Sequence, residues 1–174
     1  MKNLGELLVQ EDPFEEILMG NQALVRAMVE SKTRVVTSYP GSPTPEIASA
    51  ILDIPRNRQA FYFEFSVNEK VAVEVAFGAA LNGNLSCVFF KSVGLNVAAD
   101  TFVQLSLMNI IGGMVVILGD DPGANSSQNE QDNRYYAKLS GLPMLEPSSV
   151  AEAKNMLADA FDLSEKLQEP VLFR

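Results

Sequence analysis

Apolar residues recur along this chain in two rhythms, one of about 3.6 residues and one of short unbroken runs. Between Glu15 and Ser31, the residues Ile17, Leu18, Leu24, Val25, Met28 and Val29 fall near helical spacing, which predicts an amphipathic helix. Val35 to Tyr39 is a short β-rich run, followed by the Pro- and Gly-punctuated stretch "YPGSPTP". Pro45 suits the first turn of a helix reaching about Ile54, with Thr44 as its cap. Ala60 to Phe65 reads as a second strand, and Val67 to Leu81 as a helix of small and apolar residues. Strands at Leu85–Lys91 and Met114–Leu118 flank a helix from about Leu95 to Met108. Beyond the loop 119–132, a short helix near Arg134–Leu139 leads to a brief strand at Met144. A long amphipathic helix, Val150–Leu167, precedes a last strand at Pro170–Arg174. Residues 1–14 are acidic and weakly patterned, and read as an N-terminal arm or frayed tail ahead of one domain, 15–174.

Strand and helix alternate with short connections, which predicts an α/β fold: a mostly parallel sheet with helices on both faces. The wholly apolar runs "CVFF" and "MVVIL" agree, since such strands are buried on both sides. In sheets of this kind ligands bind beyond the carboxyl ends of the strands. Four polar segments fall there: Tyr39–Glu46, Ser66–Glu69, Lys91–Asn96 and Gly119–Asp132. The sequence stops in an incipient strand, "PVLFR", which suggests a piece of something longer.

Composition narrows the chemistry. A length of 174 residues fits one domain, and 47% apolar residues suffice for its core. A net charge of -9 argues against nucleic acid and against an anionic membrane surface. The run Phe102–Gly119 is too interrupted by Gln104, Ser106, Asn109 and a Gly pair to span a bilayer, and no signal pattern opens the chain. The expectation is a cytoplasmic protein. With no histidine, a Ser-His-Asp triad, a Cys-His pair and a histidine metal site are excluded. The one cysteine, Cys87, cannot build a disulfide framework or hold an iron–sulfur cluster, and reads as a core thiol.

The candidate segments each admit two readings. Ser66-Val67-Asn68-Glu69 matches the S-x-x-E capping box, with Glu69 folded back onto the Ser66 amide. Alternatively Glu69, which heads the stripe Ala72, Val73, Ala76 and Ala80, projects past the strand end into a cleft. "YPGSPTPE" is either an ordinary turn or a ligand loop, in which Ser42 donates to a carboxylate or carbonyl and Gly41 lets the backbone come close. The loop 119–132 is long and polar for a mere connection. Its acids Asp120, Asp121, Glu130 and Asp132 match no calcium-loop spacing, and no metal site is assigned. Lys91 is either a snorkelling side chain or a phosphate contact. Lys70 and Glu74, four apart, suit an exposed ion pair.

Taken in order, "SYPGSPTPEI", "FSVNEKVAVEVAFGAA", "KSVGLNVAAD" and "DDPGANSSQNEQD" resemble the N-terminal domain of the 2-oxoacid:ferredoxin oxidoreductases, over about Glu15 to Arg174. The indolepyruvate branch is the most similar. The resemblance implies the pyrimidine-binding domain of a thiamine diphosphate enzyme. An acid at the position of Glu69 would share a proton with the aminopyrimidine ring nitrogen, favouring the imino tautomer that the cofactor needs. Pro40, Lys91, Gly94 and Asn96 would join Glu69 around the cofactor, and Tyr39, Gly41 and Ser42 would face the substrate. The implied reaction is oxidative decarboxylation of an arylpyruvate, with the acyl group passing to coenzyme A and electrons to ferredoxin. The family's G-D-G…N motif for Mg²⁺ and diphosphate is absent, as are cluster-binding cysteines. Mg²⁺ and iron–sulfur clusters are therefore expected on missing segments or subunits. The implied partners are a diphosphate-binding domain and a β subunit, with a homodimer also expected. Pyruvate-using relatives carry an arginine near the fourth strand's end, where this chain reads Gly119-Asp120-Asp121, so the substrate's carboxylate anchor stays unassigned.

Overall fold

The computed structural model describes residues 3–125 and 127–174; Met1 and Lys2 of the expected arm and Ser126 of the long loop lie outside it. Among the described residues, six strands form one sheet of order β2-β1-β3-β4-β6-β5, parallel throughout. The strands are β1 (Val35–Ser38), β2 (Tyr62–Phe65), β3 (Ser86–Lys91), β4 (Met114–Gly119), β5 (Met144–Leu145) and β6 (Val171–Phe173). The helices are α1 (Leu4–Leu8), α2 (Gly20–Glu30), α3 (Pro45–Leu52), α4 (Glu69–Leu81), α5 (Gly94–Phe102), α6 (Arg134–Ser140) and α7 (Val150–Leu167).

The period of two along each strand divides the core into two layers. Cys87, Phe89, Val115, Ile117, Val171 and Phe173 face one way, onto α1, α2, α3 and α7. Val88, Phe90, Val116, Leu118 and Leu172 face the other way, onto α4, α5 and α6. The expected α/β sandwich is therefore present, and the apolar runs are apolar because both faces are covered. On α4 the small stripe Ala72, Val73, Ala76 and Ala80 is fully buried, and small side chains there bring helix and sheet close. The Thr37 hydroxyl donates to the Ala72 carbonyl at 2.7 Å, locking α4 to β1. Cys87 is a core thiol whose burial pushes its pKa far up, so it is inert as a nucleophile.

Four local expectations shift. The helix expected from Glu15 is α2 and starts at Gly20, and Ile17 is 96% exposed; Gln22 accepts from the Met19 amide at 2.9 Å and fixes the start. Where a frayed arm is expected, α1 packs down with Leu8 fully buried, and Gly5 lies so close to Asp53 that no side chain would fit between them. The helix after β3 ends at Phe102, and a 3₁₀ turn, Leu105–Leu107, takes over; the Gln104 side chain donates to the Asp100 carbonyl there at 2.8 Å. Thr44 sits at the start of α3 but does not cap it: its hydroxyl donates back to the Gly41 carbonyl at 2.8 Å, while Pro45 takes the first turn as expected. Among the described residues no helix is long and apolar enough to cross a membrane.

Candidate cofactor site at the carboxyl edge

β1 lies between β2 and β3, so the chain leaves β1 toward one side and later returns past it to the other. This reversal opens a crevice at the carboxyl ends of β1 and β3. The connections bearing the candidate residues meet around it, and three pairwise contacts hold them together.

The first contact concerns Glu69. Its side chain does not fold back onto the Ser66 amide, because that N–H donates to the Ser38 carbonyl at 2.9 Å and extends the β1–β2 ladder. The helix cap is Asn68, whose Oδ1 accepts from the Val71 N–H at 2.9 Å. The capping-box reading is thereby corrected: one strand hydrogen bond takes the donor it needed, and the neighbouring amide side chain does the capping. Freed from that duty, Glu69 is only 7% exposed and lies against Gly94, at the start of α5. A Cβ at position 94 would stand 2.6 Å from the Glu69 Oε1 and 2.7 Å from its Cγ. Gly94 is thus the backbone wall of the acid's slot. No described group donates a hydrogen bond to the Glu69 carboxylate, and its oxygens are not among the buried polar atoms left without a partner, so they keep contact with solvent.

The second contact joins β1 to β3. The Lys91 stem lies along Gly41, where a Cβ would come within 2.8 Å of the lysine Cδ and 3.0 Å of its Cγ. Tyr39, Pro40 and Ser42 are exposed on the same turn, which includes a cis Ser42–Pro43 bond. Pro40 helps line a cavity of about 180 Å³ with Ser38, Phe65 and Phe89. The third contact closes the turn onto β4, where Gly119 has room only for hydrogen beside Pro43 and Thr44.

The loop after β4 is tied down by amides. Gln131 donates to the Ser92 carbonyl at 3.1 Å, to Asn96 at 3.1 Å and to Asn133 at 2.8 Å, and accepts from Asn96 at 2.9 Å. Tyr136 donates to the Asn96 Oδ1 at 2.8 Å. The Lys91 ammonium donates to the Gln128 Oε1 at 2.9 Å. Asn133, fully buried, donates to Asp120, which also receives the Arg174 Nε at 2.6 Å; Arg174 in turn reaches Glu146. Asp132 binds Arg134 at 2.8 Å, and the hydrogen bonds of that guanidinium hold its carboxyl below the usual range. These acids are therefore occupied with cations, and among the described residues no cluster of three metal-ligating side chains forms.

The structure thus gathers Glu69 with Gly94, Gly41 with Lys91, and Lys91 and Asn96 with the β4–α6 loop. Gln128, Gln131, Asn133 and Arg174 were not singled out from the sequence. The polarity of "SSQNEQD" hinted at Gln128 and Gln131 only, and the partners of the four lie 37, 35, 13 and 54 residues away.

A little-exposed acid with no described donor, walled by a glycine, thus stands at the switch point of a parallel sheet. The chain belongs to the family described as pyruvate flavodoxin/ferredoxin oxidoreductase, thiamine diphosphate-binding, which it matches over residues 26–173. Among curated proteins it is 48% identical over 171 residues to the indolepyruvate oxidoreductase subunit IorA of Methanothermobacter thermautotrophicus, covering 98% of this chain and 28% of that one. The corresponding subunits of Archaeoglobus fulgidus and Pyrococcus abyssi are 47% and 44% identical, over 98% and 100% of this chain. The chain therefore spans a little over a quarter of the length of these relatives, 28% and 27% respectively. The fold matches a solved 2-oxoglutarate:ferredoxin oxidoreductase from Magnetococcus marinus, with 2-oxoglutarate, coenzyme A and succinyl-CoA bound, at a TM-score of 0.74 and 21% identity, over 93% of this chain and 30% of that one.

Proposed function

We propose that this chain is the pyrimidine-binding domain of a thiamine diphosphate-dependent 2-oxo acid oxidoreductase acting on indolepyruvate or a similar arylpyruvate. The carrying observation is Glu69, a residue only 7% exposed whose carboxyl has no described protein donor and a glycine for a wall. The residues fit the cofactor's ring on two counts: an acid with spare hydrogen-bonding capacity, and a surface at Gly94 that a side chain would obstruct. When bound, thiamine diphosphate supplies the electron sink for decarboxylation, which no side chain offers. Glu69 would hydrogen-bond the aminopyrimidine ring nitrogen from its slot beside Gly94. Pro40 and Gly94 shape that slot, Asn96 braces it through Gln131, and Tyr39, Gly41 and Ser42 present the substrate side.

The names of the relatives support the substrate class, and the short span relative to them supports a site completed elsewhere. A diphosphate-binding domain, in the same full chain or a partner subunit, would bring Mg²⁺; iron–sulfur clusters, a β subunit, ferredoxin and coenzyme A would complete the reaction. Exposed apolar residues near the edge (Leu52 at 66%, Val67 at 81%) support a covering partner, which includes a second copy of the chain. A cytoplasmic setting follows from ferredoxin and coenzyme A as co-reactants.

The test is Glu69→Gln in the full-length, assembled enzyme. The amide cannot move the proton, so kcat should fall about 10²- to 10⁴-fold, with assembly intact by size-exclusion chromatography. Unchanged turnover would mean that the domain serves assembly alone.

A further inference from the structure

Four cations stand along the carboxyl edge of the sheet. Lys70 meets Asp100 at 2.7 Å, Arg134 meets Asp132 at 2.8 Å, and Arg174 meets Asp120 at 2.6 Å. Lys91 differs from the other three: its ammonium donates to Gln128, a neutral amide, and among the described residues it has no ion-pair partner. In a chain with 22 acids against 13 bases, a half-buried lysine that finds no carboxylate is notable. Its position is also built. The stem runs along the one residue of the Tyr39–Ser42 turn that has no side chain, and any Cβ at Gly41 would displace it. An ammonium fixed this way lies beside the crevice between β1 and β3. It is one turn from Glu69's wall, since Gly94 follows three residues later in the same connection. The exposed Ser42 hydroxyl follows Gly41 directly, and one residue before Gln128 the Ser127 hydroxyl is buried with no hydrogen-bond partner.

We propose that Lys91 is the anchor for the substrate's carboxylate, aimed by Gly41 and Gln128 and assisted by the Ser42 hydroxyl. This rests on the reading of the chain as a 2-oxo acid enzyme. One point charge with one adjacent hydroxyl suits a monoanion, whereas a diphosphate calls for several converging donors and a metal. The carboxylate would complete the ion pair that the protein leaves open. The neutral Gln128 holds the ammonium in place without neutralising it, so the charge stays available. Lys91 thus selects for a 2-oxo acid over an aldehyde or ketone of the same shape, while Glu69 works on the cofactor's ring.

The test uses the full-length assembled enzyme with Lys91→Met, Lys91→Arg and Gly41→Ala. Calorimetry would follow two unreactive probes, indole-3-propionate and its neutral amide, and separately thiamine diphosphate; steady-state kinetics would give KM and kcat for indolepyruvate. Loss of one charge-assisted hydrogen bond should weaken indole-3-propionate and raise KM about 10- to 100-fold in Lys91→Met. The amide probe and thiamine diphosphate should bind within about twofold of wild type. Lys91→Arg should restore much of the carboxylate affinity. Gly41→Ala, which keeps the charge but moves the stem, should weaken the same probe and spare the amide. If Lys91→Met instead weakens thiamine diphosphate and leaves both probes unchanged, Lys91 holds the cofactor and the proposal is wrong. If no affinity moves, the stem is only packing and the proposal is equally wrong. A wild-type enzyme that binds no thiamine diphosphate would sink the preceding reading instead, and the carboxylate-against-amide comparison would still decide the role of Lys91.

Discussion

At the scale of single residues, the outcome at Glu69 turns on who owns one backbone N–H. The tetrapeptide Ser66–Glu69 contains every side chain a capping box needs, so local sequence favours that motif. What it lacks is knowledge that Ser38, 28 positions upstream, lies alongside and accepts from the Ser66 amide. Lys70 teaches the same lesson. The helical neighbour Glu74 sits 3.9 Å away, while the closer partner at 2.7 Å is Asp100 from α5. Both pairs are exposed and of small energetic weight. Two substitutions separate the cap from the acid. Asn68→Ala removes the true cap and should cost about 1 kcal/mol in chemical unfolding, whereas Ser66→Ala should cost far less of that helix start. Gly94→Ala should leave the fold intact but push the Glu69 carboxyl from its slot. A displacement of that order is expected to lower kcat about 100-fold in the assembled enzyme, with weaker thiamine diphosphate binding by calorimetry as the distinguishing readout.

At the scale of elements, the hydrophobic rhythm located every strand and the helices α2 to α7, because burial of one face or both is what imposes the rhythm. It failed at edges and ends. Ile17 looks like a core position by spacing but stands in solvent, since the pattern cannot tell whether the chain has yet begun to coil. α1 has only five residues, too few for a period to register, and its docking depends on the bare backbone at Gly5. The end of β6 is fastened to the end of β4 by Arg174 and Asp120, whose side chains are 14% and 7% exposed. Nothing adjacent in sequence announces that link. Arg174→Met should strand the Asp120 charge among buried neighbours and destabilise the domain by about 3 kcal/mol, read as a lowered urea midpoint. It should also loosen the loop 119–132, visible as faster amide hydrogen exchange there.

At the scale of the whole molecule, one helical layer is held together across its helices by an acid-sensitive link. Glu30 on α2 bridges to Lys154 on α7 and to Arg26 on its own helix, at 2.5 and 2.7 Å. Partial burial pushes its carboxyl up, but the hydrogen bonds and charges of Lys154 and Arg26 outweigh that and leave it below the ordinary glutamate value. The group is thus easier to ionise folded than unfolded. Its stabilising contribution is complete above the unfolded value and is lost as pH falls through the folded one. Glu30→Gln should therefore lower stability slightly at neutral pH, since the bridge is half-exposed, and make no difference in strong acid, which flattens the acid limb of a stability-against-pH curve.

The connections that carry the site are laced together by Gln128, Gln131, Asn133 and Asn96, with a tyrosine hydroxyl and backbone carbonyls filling the gaps. Carboxamides neither gain nor lose protons in the physiological range. The amide-wired part of the scaffold is indifferent to acid and base, unlike the Asp132–Arg134 ion pair beside it. A titration seen in the catalytic profile near neutral pH would then arise elsewhere than in these amides, which behave as a silent instrument mount.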